Sequence, residues 1–166
     1  MDYESLQDLY LHELKDLYSA EKQIFRALPK MIKHASSPQL KAALEDHREK
    51  TRVHAERLEK IFEQHGKSTR GAKCKGIEGI LEEGDDWMSE DAHPEVMDAG
   101  IISSAQRVEH YEIAAYGCAR TYANLLGNRE DENLLNQTIH EEGEADKKLT
   151  TIAERINVKA REHQHA

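Results

Sequence analysis

The chain has 166 residues, 38% hydrophobic and 33% charged, with a formal net charge of −9 at pH 7. That length suits one domain with a real buried core. Basic residues such as Lys73 and Lys75 are interleaved with acids elsewhere and form no extended stripe, so no nucleic-acid partner is expected. No apolar run approaches the ~20 residues of a membrane span, which excludes a helical membrane partner of that kind.

Three prolines and nine glycines, set in abundant Ala, Leu, Glu and Lys, predict an all-α chain. The first helix is predicted from about Ser5 to His34, with Tyr10, Leu14, Leu17, Ile24, Leu28 and Met31 on its core side. Pro29 predicts a kink near its end. Ser37 as N-cap and Pro38 as first residue open the second helix. It continues through Leu40, Leu44, Leu58 and Ile61, and Gly66 ends it. The stretch from Gly66 to His93 carries Ile77, Ile80, Leu81 and Trp87 and predicts a short extra helix. A third long helix opens near Pro94 and stops at Gly127. The fourth runs from about Asp131 to Val158, followed by a frayed polar tail of about 159–166.

Helices one and two are joined by a few residues around Ala35 to Ser37, and helices three and four by a few around Gly127 to Arg129. Short loops predict two antiparallel hairpins, and the long crossover predicts a ferritin-like four-helix bundle spanning 1–166 as a single domain. The start is acidic and amphipathic, so it reads as helix rather than leader. Cys74 and Cys118 form no CxxC and read as free thiols of a cytoplasmic protein.

Each long helix carries ionisable residues in the middle of its core stripe. Glu21 interrupts the first, and His47, Thr51 and His54 interrupt the second for two turns. Glu109 and Glu112 lie on the third, Glu142 and Asp146 on the fourth. A lone buried carboxylate costs several kcal/mol unless paired or bound to metal. Height along the bundle sharpens the pattern. Glu21 lies 15 residues before a loop centre near Ser36, so it should be level with Thr51, between His47 and His54. About a second centre at Asn128, Glu112 should face Glu142 and Glu109 should face Asp146.

Five carboxylates and two imidazoles at matched heights predict a site for two metal ions. Hard carboxylates with a few histidines suit iron or manganese, and bridging carboxylates suit a metal pair. The usual bundle rule is a lone Glu from two helices and Glu-x-x-His from two others. This chain departs from it: helix three offers Glu-x-x-Glu and helix four Glu-x-x-x-Asp. Taken alone, His47 or His54 would be an ordinary core histidine. His12, His110 and His140 fall off the core stripes, and His65 lies at the end of its own. Tyr116 reads as core packing, and Tyr10 as a buried ring with a wet hydroxyl. Lys50 supports the competing reading, since an ammonium on the inner edge of helix two could pair with Glu21 or Glu109 and replace the metal's charge.

Four segments resemble the YciF/YciE-like family of bacterial stress proteins, most closely its YciF branch. They are Asp16-Leu17-Tyr18-Ser19-Ala20-Glu21-Lys22-Gln23, Lys73-Cys74 with Gly76-Ile77-Glu78-Gly79, Val108-Glu109-His110-Tyr111-Glu112-Ile113, and Glu141-Glu142 with Asp146 and Leu149. The resemblance runs nearly end to end. It implies a ferritin-like fold, a homodimer, and a metal site related to those of rubrerythrins and manganese catalases. Where the family often reads His-Leu-Glu-Glu-Thr, this chain has His47-Arg48-Glu49-Lys50-Thr51, and His54 stands where Gln is frequent. The expected function is a dinuclear-metal stress protein reacting with peroxide or dioxygen. The alternative is a non-catalytic dimeric interaction protein with a vestigial, Lys-neutralised site.

Overall fold

The structure is a computed structural model and describes residues 3–163. It contains five helices: α1 (Leu6–His34), α2 (Pro38–Gln64), α3 (Lys75–Trp87), α4 (Pro94–Leu125) and α5 (Arg129–Glu162). The described residues include no strand. Among them, no helix is long and apolar enough to cross a membrane.

The ends follow local chemistry. Ser5 Oγ accepts the Asp8 N–H at 3.2 Å, and Ser37 Oγ accepts the Leu40 N–H at 3.3 Å, which fixes the starts of α1 and α2. Gly66 and Gly127 stop α2 and α4 with φ of 60° and 77°. At those stops Lys67 N–H donates to Phe62 O, and Asn128 N–H to Ala123 O, each at 2.9 Å. Helix α1 passes through Pro29 and continues to His34. Helix α5 extends beyond both expected ends. Ile152 and Ile156 keep its face buried, and Lys159 and Arg161 suit the negative end of its dipole. The expected tail is therefore helical as far as Glu162; its residues 164–166 lie outside the described ones.

Short connections make α1–α2 and α4–α5 hairpins. Tyr18 bonds Glu59 at 2.7 Å, while Glu21 meets His54 at 3.4 Å, so numbers rise on α1 as they fall on α2. The same antiparallel relation pairs Asn124 with Glu132 and Gln106 with Asp146. Helix α3 packs on α4 and α1. The turn between α1 and α2 is tied to α4 by Asp98, whose carboxylate accepts the Ser36 and Ser37 N–H groups at 2.7 and 2.8 Å.

Two apolar clusters fill the interior. One contains Ile24, Leu28, Met31, Leu44, Ile101 and Leu149. The other contains Tyr10, Leu14, Leu17, Leu58, Tyr116 and Leu135. Tyr10 corrects the expectation of a wet hydroxyl. It is fully buried, and it donates to Asp131 at 2.8 Å. His65 Nε2 lies 2.7 Å from the same Asp131 oxygen, so one buried carboxylate ties α1 and α2 to α5.

Candidate metal centre

Between the two clusters lies a buried polar layer: Glu21, His47, Thr51, His54, Glu109, Glu112, Thr138 and Glu142. Each long helix supplies part of it because each hydrophobic stripe is interrupted at that height. Six of the seven sequence-predicted site residues converge there in two overlapping groups. His47, Glu109, Glu112 and Glu142 form one, and Glu21, His54 and Glu142 the other. Within each group the potential ligand atoms lie within 4.8 Å of one another. Glu142 belongs to both.

His47 Nε2 is 3.4 Å from Glu109 Oε1. His54 Nδ1 is 2.8 Å from Glu142 Oε1 and 3.4 Å from Glu21 Oε1. The 2.8 Å approach is an ion-pair contact without hydrogen-bond alignment, and Nδ1 remains among the unsatisfied buried atoms. Tyr116 donates its hydroxyl to Glu21 Oε1 at 2.5 Å.

Burial and mutual repulsion dominate the electrostatics. Burial, then Glu142 and Glu21, push the Glu109 carboxyl well above its ordinary range. Burial, then Glu21, Glu142 and Glu109, do the same to Glu112. Burial also raises the Glu142 carboxyl, but Glu109, His54 and His47 outweigh it and hold it at about 2. Burial works against the His54 imidazolium, and Glu142 and Glu21 overcome it, raising its pKa to about 10. His47 is lowered, chiefly by burial.

A cation fits this donor set. Among the described residues, both oxygens of Glu112 and of Glu142, Oε2 of Glu21 and Glu109, and both ring nitrogens of His47 have no hydrogen-bond partner. Buried polar atoms ordinarily have one. Here several unsatisfied acceptors point at one volume, which is the arrangement a metal ion would relieve.

A supporting layer reinforces the fit. His54 Nε2 is 2.8 Å from Glu141 Oε2. Arg57 grips both oxygens of Glu141 at 2.7 and 2.8 Å and donates to Thr138 at 3.1 Å. One imidazole nitrogen is thus held by a carboxylate while the other faces the acids, as in metal-ligating histidines generally. Sequence reasoning missed Glu141 and Arg57. The available signal was Arg57 one turn after His54, with Glu141 at matching height on α5.

Two expectations change. Asp146 stays outside the cluster. It is half-buried, accepts from Gln106 at 3.0 Å, and lies 3.3 Å from His110. Helical rotation explains it: four residues past Glu142 adds about 40°, and the short Asp side chain ends on the α4–α5 flank. Glu142 instead meets both Glu109 and Glu112. Lys50 does not pair with Glu21 or Glu109. Its ammonium sits 3.1 Å from Asp46 at the surface. Of the thiols, Cys74 is buried and Cys118 exposed, and both are free.

Residues 5–161 match a family described as a domain of unknown function, DUF892. The chain is 40% identical to Protein YciF of Escherichia coli K12, covering 96% of this chain and 98% of that protein. The crystal structure of the E. coli stress protein YciF superposes with a TM-score of 0.91 at 39% identity, over 95% of this chain and 99% of that one. YcfI from Rhodopseudomonas palustris, described provisionally as a structural protein, gives 0.88 at 41% identity, over 90% and 96%. A Xanthomonas campestris protein, 21% identical, shares the fold with a TM-score of 0.77 over 95% of this chain and 97% of that one.

Proposed function

The chain belongs to the DUF892 family and to the group of proteins represented by YciF, and from that premise we propose that it is a ferritin-like, cytoplasmic stress protein with a dinuclear iron or manganese centre that reacts with peroxide or dioxygen. The observation that carries the reading is the convergence of unsatisfied ligand atoms from Glu21, His47, Glu109, Glu112 and Glu142, with His54 braced from behind. Glu142 lies in both ligand groups, as a bridging carboxylate would. Glu109, Glu112 and His47 would hold one ion, and Glu21 and His54 the other. A metal pair there would supply electrons to a small oxidant.

The chain's own residues then have definite tasks. Glu141 and Arg57 fix the His54 ring so that Nδ1 faces the centre. Tyr116 holds a proton at Oη against Glu21. Its pKa is pushed well up by burial and by the Glu21 and Glu112 charges, so the hydroxyl stays protonated. The apolar cluster at the Tyr10 end excludes bulk water from that side of the centre. A homodimer is part of the proposal and predicts twice the chain mass by light scattering.

Metal analysis tests the core of this reading. Protein expressed with iron or manganese should carry about two equivalents per chain, the stoichiometry of a two-metal site. Metal well below one equivalent under both conditions would remove it. With metal bound, wild type should consume peroxide faster than Glu109→Ala; equal rates would leave the metal a structural role only. The rival, a non-catalytic dimeric protein, draws on the provisional description of the R. palustris relative. Lys50 pairs with Asp46 instead, so in this rival the neutralising charge would come from the His54 imidazolium, not from Lys50.

A further inference from the structure

The layers flanking the centre are unequal. Toward the Tyr10 end, one turn from the ligands, stand Leu17, Leu58 and Tyr116, all essentially fully buried. They close that side. Toward the α1–α2 turn, the corresponding residues on three of the four helices are alanines. Ala43 lies one turn before His47, Ala105 one turn before Glu109, and Ala145 one turn after Glu142. The three side chains line one cavity, together with the buried His47 and Glu109. Its volume is about 20 Å³. That exceeds the roughly 10–15 Å³ a single water requires.

Apart from His47 and Glu109, the wall is apolar until Asp46 and Lys148, whose side chains are about half exposed and approach to 3.5 Å. The cavity therefore runs from two ligand-bearing residues to a charged rim between α2 and α5. Interiors ordinarily pack without such gaps, and a valine or leucine at any of the three alanine positions would fill this one. A gap made of three alanines at one height is a property of the sequence rather than a local packing fault.

We propose that this cavity is the binding chamber for dioxygen, entered beneath the Asp46–Lys148 rim and opening on His47 and Glu109. The assignment rests on the metal reading of the cluster. The wall's chemistry selects between the oxidants. Hydrogen peroxide is strongly hydrated and would lose its hydrogen bonds against this wall, whereas dioxygen is small, apolar and loses almost none.

Xenon, an apolar gas of similar reach, probes the chamber without requiring metal. A crystal of the full chain pressurised with xenon should show an anomalous peak between Ala43, Ala105 and Ala145. Ala105→Leu, or Ala43→Val should the first variant fail to fold, should abolish it, and Leu44→Ala should strengthen it. No peak in wild type, or a peak unchanged by the filling variant, overturns the proposal. In iron-loaded protein, Ala105→Leu should slow oxidation by dioxygen at least fivefold, with iron content and the peroxide-driven rate kept within twofold. Equal slowing of both oxidants overturns the selectivity. Failure to load iron would count against the metal reading alone, because the xenon result stands independently.

Discussion

Glu142 is the residue on which the centre turns. It is fully buried, lies in both ligand groups, and contacts the His54 imidazole. Glu142→Gln should therefore lose both metals, whereas Glu112→Gln, which touches one group, should lose about one; metal analysis of the two variants distinguishes these outcomes. Protonation gives a second residue-scale prediction. Burial and neighbouring charge push the Glu109 and Glu112 carboxyls well above their ordinary range. Ligation requires them as carboxylates, so metal uptake should release protons and tighten as pH rises, readable with an indicator dye. The metal-free protein should show the converse in stability. Raised groups favour the folded state fully below their unfolded pKa and lose that contribution as pH rises through the folded one. His47, lowered from 6.5 chiefly by burial, contributes little change above pH 7. What remains is loss, from Glu109, Glu112, and His54 as pH rises toward about 10. The melting temperature in chelator should fall between pH 7 and 9.5, and saturating metal should remove most of that fall. At this scale the sequence exposed six ligand candidates because a charge in a hydrophobic stripe is conspicuous. Asp146 and Lys50 lie outside the cluster: within tens of degrees of the stripe, their half-buried side chains turn to Gln106 and His110, and to Asp46. The sequence concealed Glu141, which lies off the stripe and matters only through Arg57 and His54.

At the scale of elements, the crossover is held by the same segments that resemble the YciF group. Asp16, Ser19 and Gln23 lie on one face of α1. Ser19 accepts the Cys74 N–H at 2.9 Å, and Gln23 donates to the Cys74 carbonyl at 3.0 Å. Tyr111, between Glu109 and Glu112 in sequence, donates to Asp16 at 3.1 Å and lies 3.1 Å from Cys74 Sγ. Its ring leaves no room beyond hydrogen at Gly76, where a Cβ would come 2.5 Å from it. Gly76→Ala should then destabilise the fold by about 1–3 kcal/mol through overpacking, measured by urea unfolding. Asp98 clamps the other connection. Asp98→Ala leaves two backbone N–H groups without their carboxylate and should cost about 2–4 kcal/mol, with metal content preserved if the clamp is purely structural. Helix starts and stops were legible because Ser, Pro and Gly act within one turn. The clamps were not, because Asp98 and Asp131 read as ordinary acidic residues until their distant partners are placed.

For the whole molecule, the polar layer divides the core into two apolar clusters, and the two hairpins meet across it. Each hairpin supplies an incomplete ligand set: Glu21, His47 and His54 from one, Glu109, Glu112 and Glu142 from the other. A cation at their junction would join them, so bound metal should raise the melting temperature by linkage, and chelation should lower it. This division was legible from loop lengths and matched heights. The unequal packing on its two sides was not, since alanine carries no sign of the space around it. Anomalous diffraction from crystals of protein grown with iron or manganese should show two peaks about 3.5–4 Å apart, the usual spacing of a bridged pair, with Glu142 between them, His47 beside one and His54 beside the other. A polar layer without anomalous density, its carboxylates paired by water or by Lys50, would contradict the two-metal centre.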